Sequence, residues 1–143
     1  MYFKRLVERY SRPKYAVATK VAIYKHDASA VLVMHYPQNK RNGLPGGHME
    51  MGEQPDAAVI REVEEELGVV ISAPVPRSFI KHADQRDRLI LTYTYIAPDG
   101  FTAKPTDPKY EYDTWLTPDE LAVVPNMSDE YRHFILKHWP ASS

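Results

Sequence analysis

The sequence predicts an α/β layered fold with a mixed β-sheet. Three observations lead there. Runs rich in β-branched and aromatic residues stand both before and after the clearest helix. That helix carries one apolar stripe, which needs a sheet to cover it. A second helical pattern closes the chain.

The elements follow in order. Residues 14–24 (KYAVATKVAIY) read as a strand, with a turn at His26, Asp27 and Ala28. Residues 30–36 (AVLVMHY) read as a largely buried strand paired to the first as a hairpin. Residues 37–47 hold three Gly and two Pro, too punctuated for helix or strand, and read as a loop. Residues 55–67 are the clearest helix. Pro55 suits the first turn, Asp56 complements the positive end of the helix dipole, and Gly68 suits the C-terminal cap. Pro74 and Pro76 mark a connection, residues 79–82 a short strand, and residues 88–97 (RLILTYTYIA) a stronger one. Residues 98–108 form a loop with a Pro-Asp-Gly turn, and residues 112–116 the last strand. A helix starts after Thr117. Residues 128–139 form the last helix, with Ser128 or Asp129 as its cap and Tyr131, Phe134, Ile135 and His138 on one face.

Composition excludes several functions. A chain of 143 residues matches one ordinary domain, here residues 1–143, large enough for a real core. With no cysteine, disulfides, thiolate zinc sites and cysteine nucleophiles are ruled out. A net charge of −1 gives no sign of nucleic-acid binding or of a membrane surface. The N-terminal apolar residues are interrupted by charges, unlike a signal peptide, and no apolar run approaches a membrane span. The expectation is a soluble, cytoplasmic protein. Homodimerisation is compatible with the sequence, but no residue argues for it.

The chemistry sits in residues 47–69, GHMEMGEQPDAAVIREVEEELGV. At roughly 100° per residue, Glu65, Glu62 and Glu66 fall at about 40°, 100° and 140° from Arg61. Val59, Ile60, Val63 and Leu67 occupy the adjoining arc. Like charges at these spacings repel. A solvated acidic face is the ordinary meaning of such a run. A cation held between the carboxylates is the other: Arg61 pairs with one, and Mg²⁺ bridges the rest through hard oxygen ligands. Glu53 reaches in from the preceding loop, and Gly46 and Gly47 let backbone approach the helix closely.

The spacing decides between the two. Gly47, Glu53, Arg61, Glu62, Val63, Glu65, Glu66, Gly68 and Val69 fill all nine specified positions of G-x5-E-x7-R-E-U-x-E-E-x-G-U, where U is a bulky aliphatic residue. In this the chain resembles the Nudix hydrolase family. The motif covers 23 residues, and the order of strands extends the likeness, more weakly, over most of the chain.

The resemblance implies an α/β/α sandwich and a Mg²⁺-dependent pyrophosphohydrolase, with Mn²⁺ as the alternative metal. It implies Glu65 and Glu66 as metal ligands and Glu62 as a ligand or general base. Arg61 would orient them, and Glu53 would support the helix or assist the metal. Gly46 and Gly47 would shape the loop, the Gly47 carbonyl would reach the metal, and Gly68 would support the motif. Relatives often add an acid before the last strand; Glu111 is the candidate, with Asp107 and Asp113 as rivals. Relatives also often carry Trp two residues before Leu-Pro-Gly-Gly, where Asn42 stands.

The expected substrate is a (deoxy)nucleoside triphosphate cut to monophosphate and pyrophosphate. The rivals are ADP-ribose, a dinucleoside polyphosphate, a nucleotide sugar or an RNA 5′ end. The Pro or Tyr expected of ADP-ribose and dinucleoside polyphosphate enzymes beyond the motif is lacking in residues 84–87. An isomerase of the same fold would need a cysteine. A non-catalytic nucleotide-binding domain would tend to lose motif glutamates, and all are present. Lys40, Arg41, Lys81, Arg86, Arg88 and His48 are weaker candidates for substrate contact, with solvated surface as the default.

Overall fold

The computed structural model describes residues 2–12, 14–82, 88–106 and 112–142, without the side chains of Tyr10, His82, Tyr112 and Asp113. The elements run α1 (Tyr2–Ser11), β1 (Ala16–Tyr24), β2 (Val31–Tyr36), β3 (Arg41–Gly43), β4 (Gly46–His48), α2 (Pro55–Leu67), β5 (Val75–His82), β6 (Arg88–Ile96), β7 (Tyr112–Leu116), α3 (Pro118–Val123) and α4 (Asp129–Lys137).

The sheet is mixed. β1 pairs with β6 in parallel along its whole length, from Ala16↔Arg88 to Tyr24↔Ile96. β5 pairs antiparallel with β6 at the sheet's edge, where Pro76 is tolerated beside a register shift. β7 and β3 pair antiparallel with β2. The expected hairpin of β1 and β2 forms, but its register pair is Tyr24↔Val31, next to the turn. Beyond that point β4 takes the edge of β1, at Ala18↔His48, Thr19↔Gly47 and Lys20↔Gly46. β3 takes the edge of β2, at Met34↔Gly43 to Tyr36↔Arg41. The two strands therefore diverge, and the segment between them fills the gap. This corrects the loop expected over residues 37–47: two three-residue strands form there because open strand edges offer their backbone groups partners.

Alternation along β1 and β2 builds a core on each face. Val21, Ile23, Leu32 and Met34 pack with Val59, Val63 and Leu67 of α2. Ala22, Tyr24, Val31 and Val33 pack with Leu121 of α3 and with Phe134 and Ile135 of α4. The result is a helix–sheet–helix sandwich. Fully burying Val59, Val63 and Leu67 contributes about 1.5–3 kcal/mol per side chain. On the opposite face, the buried Tyr24 hydroxyl donates to the Ile135 carbonyl at 2.7 Å, and Trp139 lies edge-on to the Tyr24 ring at 5.2 Å.

The helix boundaries have local causes. α2 has Pro55 in its first turn, and Gly68 closes it at φ 67°, donating its N–H to the Glu64 carbonyl. Thr117 and Glu120 form a capping box at α3, and Ser128 caps α4. α1 was not anticipated from the sequence; its Tyr2, Phe3 and Val7 are exposed. Among the described residues, no helix is long and apolar enough to cross a membrane.

Candidate active site

Packing α2 on the sheet sets its acidic arc against β4. Arg61 is the centre of the arrangement. Its Nε and Nη2 donate to the two Glu53 oxygens at 2.7 and 3.0 Å. Nη1 donates to Glu62 Oε1 at 3.1 Å and to the two Glu65 oxygens at 3.1 and 3.2 Å. Nη2 also donates to the His48 carbonyl at 3.1 Å, tying the helix to β4. Glu50, a residue that sequence reasoning passed over, lies 3.7 Å from Nη1. Its N–H donates to Glu53 Oε1 at 3.0 Å.

These contacts act on proton affinities. The hydrogen bond from Arg61, then that from the Glu50 N–H, holds the Glu53 carboxyl down at about 2, against an ordinary 4.5. The Glu53 carboxylate, followed by Glu65 and Glu62, raises the Arg61 pKa despite the opposing effect of burial.

Glu66 stands apart from this group. It is 1% exposed and accepts the Gly46 N–H at 2.9 Å. Gly46 has φ 133°, and a Cβ there would lie 2.0 Å from the Thr19 carbonyl oxygen. Gly47 shows a different constraint: a Cβ there would lie 2.6 Å from the Glu62 carboxyl carbon. The space a side chain would fill is taken by a carboxylate. At its C-terminal end α2 is held by the loop after β6. Thr106 N–H donates to the Glu66 carbonyl at 2.8 Å and Lys104 N–H to that of Leu67 at 3.1 Å, while the Thr106 hydroxyl bonds the Glu65 carbonyl.

The structure thus brings Glu53, Arg61, Glu62 and Glu65 together and joins Glu66 to Gly46. Among the described residues, no three acidic or imidazole groups converge as a ready metal cage. Glu62 and Glu65 are turned onto Arg61, and Glu66 onto a backbone N–H. The donor set still fits a hard divalent cation. One guanidinium hydrogen-bonds three carboxylates and lies 3.7 Å from a fourth, Glu50, a surplus of negative charge on oxygen ligands. Glu111 and its rival Asp107 lie outside the described residues, as does the Asp113 side chain.

A cleft of about 740 Å³ opens where β1 and β2 diverge, lined by Lys20, Tyr36, Asn42, Gly46, Tyr131 and others. It shares Gly46 and His48 with the carboxylate group, so β4 separates the two like a thin wall. Of the cations weighed from sequence, Arg41, Arg88 and the imidazole His48 line the cleft. Lys81 instead lies over the Tyr15 ring at 5.4 Å, and Arg86 lies outside the described residues. Asn42 bonds the Pro125 carbonyl at 2.8 Å and His35 at 3.0 Å, anchoring β3 to the segment before α4.

Lys20 is the cleft residue that sequence reasoning missed. Its Nζ donates to the Gly46 carbonyl at 3.0 Å, to that of Leu44 at 3.2 Å and to the Tyr36 hydroxyl at 3.5 Å. Burial opposes its charge, but Tyr36, Tyr131 and Glu66 outweigh that and raise its pKa. The available signal was a lone charge in an apolar strand, on the inward face shared with Ala22 and Tyr24.

The family model of the NUDIX domain matches residues 14–137. A MutT-like protein of Streptomyces ambofaciens is 26% identical over 122 residues, covering 85% of this chain and 77% of its own. The crystal structure of a MutT NUDIX hydrolase from Burkholderia pseudomallei superposes with a TM-score of 0.76 at 22% identity, covering 88% of this chain and 99% of that one. The NUDIX domain of Shewanella oneidensis NrtR, solved with ADP ribose, gives 0.75 at 15% identity and 96% coverage of both chains. With the domain match spanning the sheet, α2 and its arginine-centred carboxylates, the chain belongs to the NUDIX family and is a Nudix hydrolase.

Proposed function

We propose that this hydrolase cuts a phosphoanhydride bond of a nucleoside-diphosphate-linked substrate, with a (deoxy)nucleoside triphosphate going to monophosphate and pyrophosphate. The observation that carries this reading is the Arg61 group: three carboxylates hydrogen-bonded to one guanidinium, with Glu62 in the space left by the missing Gly47 side chain. Such a group is short of positive charge, and a divalent ion would supply it while also binding the phosphates of the substrate.

Glu62, Glu65, Glu66 and the Gly47 carbonyl would hold Mg²⁺ or Mn²⁺, with Glu111 as a further ligand. The ion supplies charge neutralisation on the phosphates and a more acidic bound water. The chain's own residues do the rest. Glu62 accepts the proton of the attacking water. Arg61 holds Glu62 and Glu65 on one side of the helix, and Glu53 holds Arg61. The water oxygen bonds one phosphorus, the bridging P–O bond breaks, and that oxygen leaves with the other phosphate-bearing group. The neighbouring cleft, with Tyr36 and Tyr131 in its lining, would take the nucleoside.

A second reading is ADP-ribose, favoured by the fold shared with the Shewanella domain solved with that ligand. A panel separates the two: canonical and 8-oxo triphosphates, ADP-ribose, diadenosine polyphosphates and nucleotide sugars, with Mg²⁺ and with chelator. Pyrophosphate release from a triphosphate, lost with chelator and in Glu65→Gln, is the expected result. Preferred cleavage of ADP-ribose would move the assignment to the second reading. Undiminished turnover in Glu65→Gln would remove the proposed site.

A further inference from the structure

We propose that Lys20 is a positioning residue for the Glu66 carboxylate, acting through Gly46. The inference rests on reading the α2 carboxylates as the metal-holding group. Lys20 stands on β1 and Glu66 on α2, and Gly46 bonds to both. The Gly46 carbonyl accepts from Lys20 Nζ at 3.0 Å, and its N–H donates to Glu66 Oε2 at 2.9 Å.

Gly46 needs such support. Its φ of 133° is open to glycine alone, and glycine has no side chain to lock it there. Bonds from outside must select that conformation. Lys20 provides two, at Gly46 and Leu44, and the Val21 N–H holds the intervening Pro45 carbonyl at 3.0 Å. An ammonium suits this task, because three donors on one atom reach two carbonyls and the Tyr36 hydroxyl at once. Taking a charge partly out of water is costly unless its donors are used, and here they are used on the segment that presents an N–H to Glu66. Lys20 also lines the cleft. It is placed to transmit a disturbance there to Glu66 through Gly46.

The test compares Lys20→Met and Lys20→Gln with wild type and Glu66→Gln. Three quantities are read: Mn²⁺ affinity of the nucleotide-free protein by electron paramagnetic resonance, the Gly46 amide resonance by NMR, and kcat and KM on a turned-over nucleotide. In Lys20→Met, Mn²⁺ affinity and kcat should fall about 10–100-fold, as for residues that orient metal ligands, and the Gly46 amide should shift. Lys20→Gln keeps a neutral donor for one carbonyl and should recover part of each. If Lys20→Met does not fold, Lys20→Gln decides by the same measures. Wild-type Mn²⁺ affinity in the folded Lys20 variants, even with a changed KM, overturns the proposal while leaving the metal site intact if Glu66→Gln has lost Mn²⁺. Wild-type Mn²⁺ affinity in Glu66→Gln overturns both.

Discussion

Arg61 holds Glu53 by two parallel bonds, Nε to one carboxylate oxygen at 2.7 Å and Nη2 to the other at 3.0 Å. This leaves Nη1 for Glu62 and Glu65. The grip sets the plane of the guanidinium, and with it the direction in which those two carboxylates are drawn.

A lysine keeps the charge but loses the fork. Arg61→Lys should therefore lower kcat by about 10–100-fold, with helix content preserved by circular dichroism. Wild-type kcat would show that the fork has no role in setting the two carboxylates.

Glu53 makes a pH prediction. Its folded pKa of about 2 lies below the ordinary 4.5, so its contribution to stability is complete above about 4.5. It is lost as pH falls toward about 2, where the folded carboxylate takes up its proton. Glu53→Gln should be less stable at neutral pH. Its urea midpoint should also change less between about pH 5 and 2 than that of wild type. Parallel curves for the two proteins would contradict this.

The adjacent glycines should fail differently. Gly46→Ala sets a Cβ against the Thr19 backbone at a φ foreign to alanine. A loss of about 1–3 kcal/mol in stability follows from the φ alone. Gly47→Ala meets only the end of the Glu62 side chain, which can swing aside. Its thermal midpoint should stay near wild type while kcat drops. Calorimetry and kinetics on the pair check this, and a reversed pattern would refute it.

Tyr24→Phe removes the buried hydroxyl that ties β1 to the Ile135 carbonyl. An unsatisfied buried carbonyl costs about 1–3 kcal/mol. Chemical denaturation should show that loss with substrate affinity little changed.

Much of the site was legible because α2 is specified locally. Pro55, the apolar stripe of Val59, Val63 and Leu67, and Gly68 mark its start, face and end, and the structure reproduces residues 55–67. The pairing of Arg61 with Glu65 follows from helical i,i+4 spacing alone. β3 and β4 were not legible: three residues carry no periodicity, and these strands exist because β1 and β2 diverge. The separation of Glu66 from its neighbours was hidden for a related reason. Its partner is a backbone N–H that only the tertiary fold delivers. Asn42, expected as a departure in packing, proves to be an anchor to Pro125, some eighty residues away along the chain.

β1 works as a reading frame shared by two halves of the molecule. Val21 and Ile23 are spelled toward α2, and Ala22 and Tyr24 toward the closing helix, with Lys20 in phase with the second set. A one-residue insertion ahead of Lys20 would be a frameshift in space. It would put an ammonium into the oily layer under α2 and turn Val21 toward the closing helix, scrambling both halves together. Changes at the tips of the connecting loops leave that frame intact. Such a molecule is therefore free to alter its rims while its central strand stays in phase.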